Sequence, residues 1–155
     1  MNGIDGTSTK QRLPKVIAAM NEQQRTFLTA KSFAVAGASN DREKYGNIVL
    51  RKLLSTGRTV VPINPKADLI EGLAAFASVV DVVPVPESLS IVTPTEITLA
   101  IVRDAIRVGV KNIWMQPGAE NDQASVEARA AGLNVIDDGS CVLVALSLEK
   151  THPQP

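Results

Sequence analysis

The chain has 155 residues and a mass of 16.5 kDa, the size of one domain with an ordinary core. Hydrophobic residues make up 45% and charged residues 21%, which sets disordered and fibrous classes aside, and aromatics at 3% supply too few rings for a base-stacking nucleic-acid platform. Lys plus Arg and Asp plus Glu are 16 each, so no global field draws the chain to nucleic acid or an anionic membrane, and any anion site must be local.

Residues 1–13 are polar, with a Ser/Thr cluster, and are expected as a loose arm. They lack the apolar stretch of a signal peptide, and nowhere does the chain approach the roughly eighteen apolar residues of a membrane span. The single Cys141 forms no internal disulfide, so a cytoplasmic location is expected. One domain is expected over residues 14–150, with a short tail over 151–155. The single histidine, His152, lies in that tail beside prolines, which leaves His-based metal sites and Ser-His-Asp catalysis without a plausible histidine.

From Pro14 to Ala30, Val16, Ile17, Met20, Phe27 and Leu28 fall on one helical stripe. Phe33–Ala36 is a short apolar run that stops at Gly37-Ala38-Ser39-Asn40, as a buried parallel strand does. After the polar loop Asp41–Lys44, helical spacing of Ile48, Val49, Leu53 and Leu54 predicts a helix closed near Gly57. Strands are expected over Thr59–Ile63 and Leu89–Val92, and the segment 66–88 has room for a short strand and helix, with Pro84 and Pro86 restricting their continuation. Thr95 is the expected N-cap of a helix that Gly109 stops; a strand over Val110–Met115, a helix over 121–131, a strand over Leu133–Ile136 and a last apolar stretch over Cys141–Leu148 complete the chain. Strands alternating with helices call for a doubly wound α/β fold, a mostly parallel sheet covered on both faces.

In such a sheet ligands bind outside the carboxyl ends of the strands. The loops there carry small or turn-forming residues, as expected where backbone amides face the ligand. Gly37 allows close backbone approach, Ser39 adds a hydroxyl, and the helix beginning near Tyr45-Gly46-Asn47 adds amides and a positive end, with Arg42 and Lys44 nearby. The spacing departs from Gly-x-Gly-x-x-Gly, and Asn64-Pro65 stands where a nicotinamide-binding strand ends in an acid. A plain Rossmann turn with a solvated loop is the bland alternative.

The segments Val35–Ser39, Lys44–Asn47, Pro62–Lys66, Glu71–Leu73 and Trp114–Ala119, in this order, resemble the small stand-alone CoA-binding proteins, which look like the CoA-binding domain of the succinyl-CoA synthetase alpha subunit. The resemblance covers about residues 15–143 and implies a Rossmann-like domain that holds coenzyme A. By it, Gly37, Ala38 and Ser39 cradle the pyrophosphate, and Lys66, in the turn with Asn64 and Pro65, meets a phosphate of the adenosine end. Arg42 and Lys44 supply further local charge, and Tyr45 beside Gly46 covers the ligand. Val92, Thr93 and Pro94 line the adenine or pantetheine, while Gln116, Pro117 and Gly118 close the crevice. Taken singly, the prolines read as strand stops and the lysines as solvated charges. The catalytic histidine of the synthetase lies outside this domain, so ligase activity is not implied.

The leading expectation is a protein that binds CoA or an acyl-CoA as carrier, sensor or regulatory subunit, without chemistry of its own. The alternatives are a small nucleotide-dependent oxidoreductase, acyl-CoA enzyme or thiol-redox enzyme using Cys141, and an interaction module with an empty crevice whose aliphatic surface self-associates. Cys141 reads first as a buried small hydrophobe, Asp137-Asp138 as a strand-ending turn, and Trp114 as core.

Overall fold

The computed structural model describes residues 19–149. The expected arm 1–13, the beginning of the first expected helix with Val16 and Ile17, and the tail with His152 lie outside the described residues.

Five helices and a five-stranded parallel sheet make up the domain. In chain order these are α1 (Glu22–Leu28), β1 (Phe33–Ala36), α2 (Tyr45–Ser55), β2 (Val60–Ile63), the short strands β3 (Leu69–Ile70) and β4 (Leu73–Ala74), and a 3-10 turn (Val79–Asp81). They are followed by β5 (Ser88–Ile91), α3 (Thr95–Val108), β6 (Asn112–Met115), α4 (Asp122–Ala130), β7 (Asn134–Ile136) and α5 (Val142–Glu149). The sheet order is β2-β1-β5-β6-β7, every neighbouring pair parallel.

Burial on both faces explains why the strands read as continuous apolar runs. Phe33 and Val35 pack with Trp114 and Ile136 against residues of α1, α2 and α5; Ala34, Ala36, Leu89, Ile91, Ile113 and Met115 pack with residues of α3 and α4. Each large apolar side chain so buried contributes about 1.5–3 kcal/mol. The polar strand residues are bonded: the Ser88 hydroxyl donates to the Phe27 carbonyl at 2.8 Å and accepts from Asn112 Nδ2 at 3.1 Å.

Several boundaries differ from the sequence expectation. The helix of 14–30 is realised, within the described residues, as Glu22–Leu28, because Asn21 and Gln24 form a reciprocal capping box that starts the helix there. Strands β6 and β7 begin after Val110 and Leu133, whose amides instead return to Ala105 and Ala128 in the last turns of α3 and α4. Thr95 is the first helical residue rather than the cap, a position Pro94 takes. The segment 66–88 forms the β3–β4 hairpin, whose turn residues Glu71 and Gly72 both have positive φ, 51° and 77°, as a tight hairpin turn requires.

The Trp114 indole meets Phe27 edge to face at 5.2 Å, and Phe27 meets Phe33 at 5.8 Å, so one ring ties α1 to the sheet. Phe27→Ala is expected to lower unfolding stability by about 3–5 kcal/mol, read as a fall in the urea midpoint followed by Trp114 fluorescence.

Candidate functional site

The chain leaves β1 for β2 on one side and returns to β5 on the other, so the winding reverses between β1 and β5. Their carboxyl ends define the crevice where such sheets take ligands. Around it stand the loops after β1, β2, β5 and β6, which carry the residues expected at the site apart from Tyr45 and Gly46, in the first turn of α2.

The β1 loop is held by two backbone approaches that only glycine allows. Gly37 has φ +90°, and a Cβ there would lie 2.0 Å from the Val92 carbonyl oxygen. At Gly46, in the first turn of α2, a Cβ would lie 2.0 Å from the Gly37 carbonyl oxygen. The sequence reading gave the space at Gly37 to a phosphate; Val92 fills it, and Gly37 is required for packing before any ligand arrives. Gly46 does the work of the close helix–strand glycine of a Rossmann turn at a different spacing.

Side chains then lash the loops together. Asn47, fully buried, donates to the Ser39 carbonyl at 2.6 Å; Asn64 donates to the Ala38 carbonyl at 2.8 Å and accepts from the Lys66 amide. The Ser39 hydroxyl accepts from the Asp41 amide. On the other side, Thr93 and Thr98 share a hydroxyl contact of 2.9 Å, Thr98 donates to the Ala119 carbonyl, and the Thr95 hydroxyl donates to the Glu120 carbonyl. The amide of Gly37 donates to Ile63, and those of Asp41, Glu43 and Lys44 have acceptors within the loop. Among the described residues the amides of Ala38, Ser39 and Asn40 meet no acceptor. Unpaired amides near a helix N-terminus are donors an anion can use.

The expected cations divide into two kinds. Lys44 and Lys66 are exposed and make no ion pair among the described residues. Arg42 is forked onto Glu71, Nε to Oε2 at 3.1 Å and Nη2 to Oε1 at 2.8 Å. Asn47 Nδ2 donates to the same Glu71 Oε2 at 2.8 Å, and Arg51 Nε donates to Asn47 Oδ1 at 2.6 Å. The bonds from Arg42 and Asn47 hold the Glu71 carboxyl down at about 2. Asn47 and Glu71 lie inside motifs the sequence reading quoted, without a role assigned to either; their contacts arise from the β3–β4 hairpin, which no periodicity announced.

Pro65, Pro94, Pro117 and Gly118 are exposed at the rims, and Val92 and Thr93 are half-buried. Gln116, expected to close the crevice, has its side chain committed inward. It is fully buried, donates to Ser90 Oγ at 3.2 Å and accepts from the Val142 amide at the start of α5 at 3.0 Å. The Tyr45 hydroxyl is 3.4 Å from Gln116 Oε1 and touches Cys141 Sγ; burial, then the Cys141 contact, pushes its pKa up. Cys141 is half-buried. Asp137 pairs with Arg129, and Asp138 accepts from the Ser140 amide and hydroxyl, which makes this turn structural. No helix among the described residues is long and apolar enough to cross a membrane.

Comparison with known proteins identifies a family and a shared fold. The family profile described as "CoA binding domain" matches residues 31–147. An ADP-forming acetate–CoA ligase of Methanocaldococcus jannaschii is 33% identical over 81 residues, 52% of this chain and 12% of that protein; the chain thus spans a small part of the ligase. A hypothetical protein from Pyrococcus horikoshii OT3 superposes with a TM-score of 0.77 at 31% identity, covering 87% of this chain and 94% of that one. The dinucleotide-forming acetyl-coenzyme A synthetase 1 of Ca. Korarchaeum cryptofilum, in its apo form, superposes with a TM-score of 0.66 at 31% identity, covering 76% of this chain but 28% of that one.

Gly46→Ala is expected to cost at least about 3 kcal/mol, the upper range for overpacking, because the new methyl meets backbone; the check is chemical unfolding of the protein without ligand. The Glu71 carboxyl is expected to titrate near 2 rather than at 4.5 by carbon NMR. Its contribution to stability is present above the unfolded value and lost as pH falls toward 2. In Arg42→Gln the midpoint moves upward, since the largest cause of the depression is gone.

Proposed function

The chain belongs to the CoA-binding domain family, and we propose that it binds coenzyme A or an acyl-CoA in the crevice at the carboxyl ends of β1 and β5, as a carrier, sensor or regulatory protein without chemistry of its own. The observation that carries this reading is the run of unpaired amides at Ala38, Ser39 and Asn40, next to the N-terminus of α2. A pyrophosphate supplies acceptors for such amides, and the helix end favours its charge. The residues present fit the group: the loops are small, rigidly tied and flanked by the unpaired cations Lys44 and Lys66.

In this reading Ala38 and Ser39 hold the pyrophosphate through their amides, and Gly37, whose own amide is spent on Ile63, shapes the turn that presents them. Lys66, after Asn64 and Pro65, meets a phosphate of the adenosine end, with Arg42 and Lys44 adding charge. Val92, Thr93 and Pro94 line the adenine or pantetheine, with Pro117 and Gly118 at the far rim and Tyr45 and Gly46 at the base. Gln116 serves by holding Ser90, Tyr45 and the start of α5 in place.

Coenzyme A at a hundredfold its dissociation constant is expected to stabilise the fold by about 2.7 kcal/mol, read as a rise in thermal midpoint. Absence of any shift or calorimetric heat at millimolar CoA overturns the assignment. Lys66→Ala is expected to weaken CoA about tenfold while leaving 3′-dephospho-CoA nearly unaffected; equal losses for both ligands remove Lys66 from the 3′-phosphate.

A further inference from the structure

The Glu71 turn lies directly on the loop assigned to the phosphates. Asn40 fixes its backbone, Nδ2 donating to the Leu69 carbonyl at 2.8 Å and Oδ1 accepting from the Glu71 amide at 3.0 Å. Arg42 and Asn47 fix its side chain, so the carboxylate oxygens are held by a guanidinium fork and a buried amide at the first turn of α2. A fork plus an amide beside a helix N-terminus is the set of partners that a phosphate also selects. The Glu71 side chain is 15% exposed whereas that of Arg42 is 66% exposed: the cation stands largely in solvent, and the carboxylate is mostly covered. A ligand phosphate and Glu71 cannot share Arg42 without placing like charges side by side.

We propose that Glu71 is an internal competitor for the phosphate site: its carboxylate holds Arg42 and Asn47 in the ligand-free protein, and binding of a phosphate-bearing ligand transfers Arg42 from Glu71 to the phosphate. This rests on the reading that CoA occupies the crevice, and deepens it by making the Glu71 side chain, on the β3–β4 turn, the group that releases Arg42 on binding. Arg42 can leave because its own side chain stands largely in solvent, where charges are screened, while Asn47 still holds the Glu71 carboxylate and the Asn40 bonds keep the turn in place. The carboxylate thereby sets a threshold: ligands with a phosphate in reach of Arg42 displace it, and those without one do not.

Calorimetry with CoA tests this on the full chain and its Glu71→Gln, Arg42→Gln, doubly substituted and Glu43→Gln variants. Gln at 71 keeps an oxygen for Asn47 and so preserves the turn, and Glu43 is an exposed neighbouring carboxylate with no ion pair among the described residues. The expected result is about two- to fivefold tighter CoA binding by Glu71→Gln, the release of one exposed pair, with a smaller change in Glu43→Gln and no gain from Glu71→Gln once Arg42 is replaced. Unchanged or weaker binding by Glu71→Gln overturns the proposal while CoA binding by the unsubstituted protein stands. Equal tightening with and without Arg42, or by Glu43→Gln to the same degree, also overturns it, since a general field then suffices. If neither the unsubstituted protein nor Glu71→Gln binds CoA at millimolar concentration, the CoA assignment falls and the exchange falls with it.

Discussion

The contact on which the site depends is the stack of Val92 carbonyl, Gly37 and Gly46, in which each backbone approaches the next to a distance no Cβ allows. It brings the end of β5, the turn after β1 and the first turn of α2 into one layer. The turn cannot then use its next amides in the sheet ladder, since Gly37 alone reaches across to Ile63. Leaving such donors unpaired costs free energy wherever water is excluded, and an anion at the N-terminus of α2 removes that cost. On the proposed reading, the same two glycines serve ligand affinity and local packing, and a substitution at either one reports on folding before it reports on binding.

The remaining polar residues of the crevice serve rigidity more than contact. Asn47, Asn64, Thr98 and Gln116 spend their hydrogen bonds on neighbouring loops. Asn64, Thr98 and Gln116 each join two different strand–helix connections, and Asn47 ties the β1 loop to α2 and to Glu71, so the rims of the crevice are fixed relative to one another without relying on long side chains. A chain with net charge zero therefore concentrates its recognition in pre-positioned amides and a few local cations. Such a site needs little reorganisation when a ligand arrives.

The sheet was legible because its strands are buried on both faces: Phe33–Ala36 falls on the expected residues, and β2, β5, β6 and β7 lie within a residue or two of theirs. Boundaries failed where a local hydrogen bond outbids periodicity, as at the Asn21–Gln24 box and at Val110 and Leu133, whose amides close the preceding helices. Within the candidate site, the loops were legible from their glycines and prolines, but the inward turn of Gln116 and the pairing of Arg42 were not. Both depend on partners far along the chain, Ser90 and Val142 for one and Glu71 for the other. A two-residue strand such as β3 carries no period at all, so the hairpin that delivers Glu71 leaves only its turn residues in the sequence.

That hairpin also shows how strength decides between structure and switch. Its backbone is pinned by Asn40 and its side chain by Arg42 and Asn47, but these fastenings differ in permanence. Asn47 is fully buried and also braces Ser39, so removing it would leave buried groups unpaired. Arg42 stands mostly in water, where an ion pair contributes a few tenths to about 1 kcal/mol and salt screens it. The geometry of the loop can therefore survive the departure of Arg42 from Glu71, which is the condition for a cation that both orders the empty site and serves the occupied one.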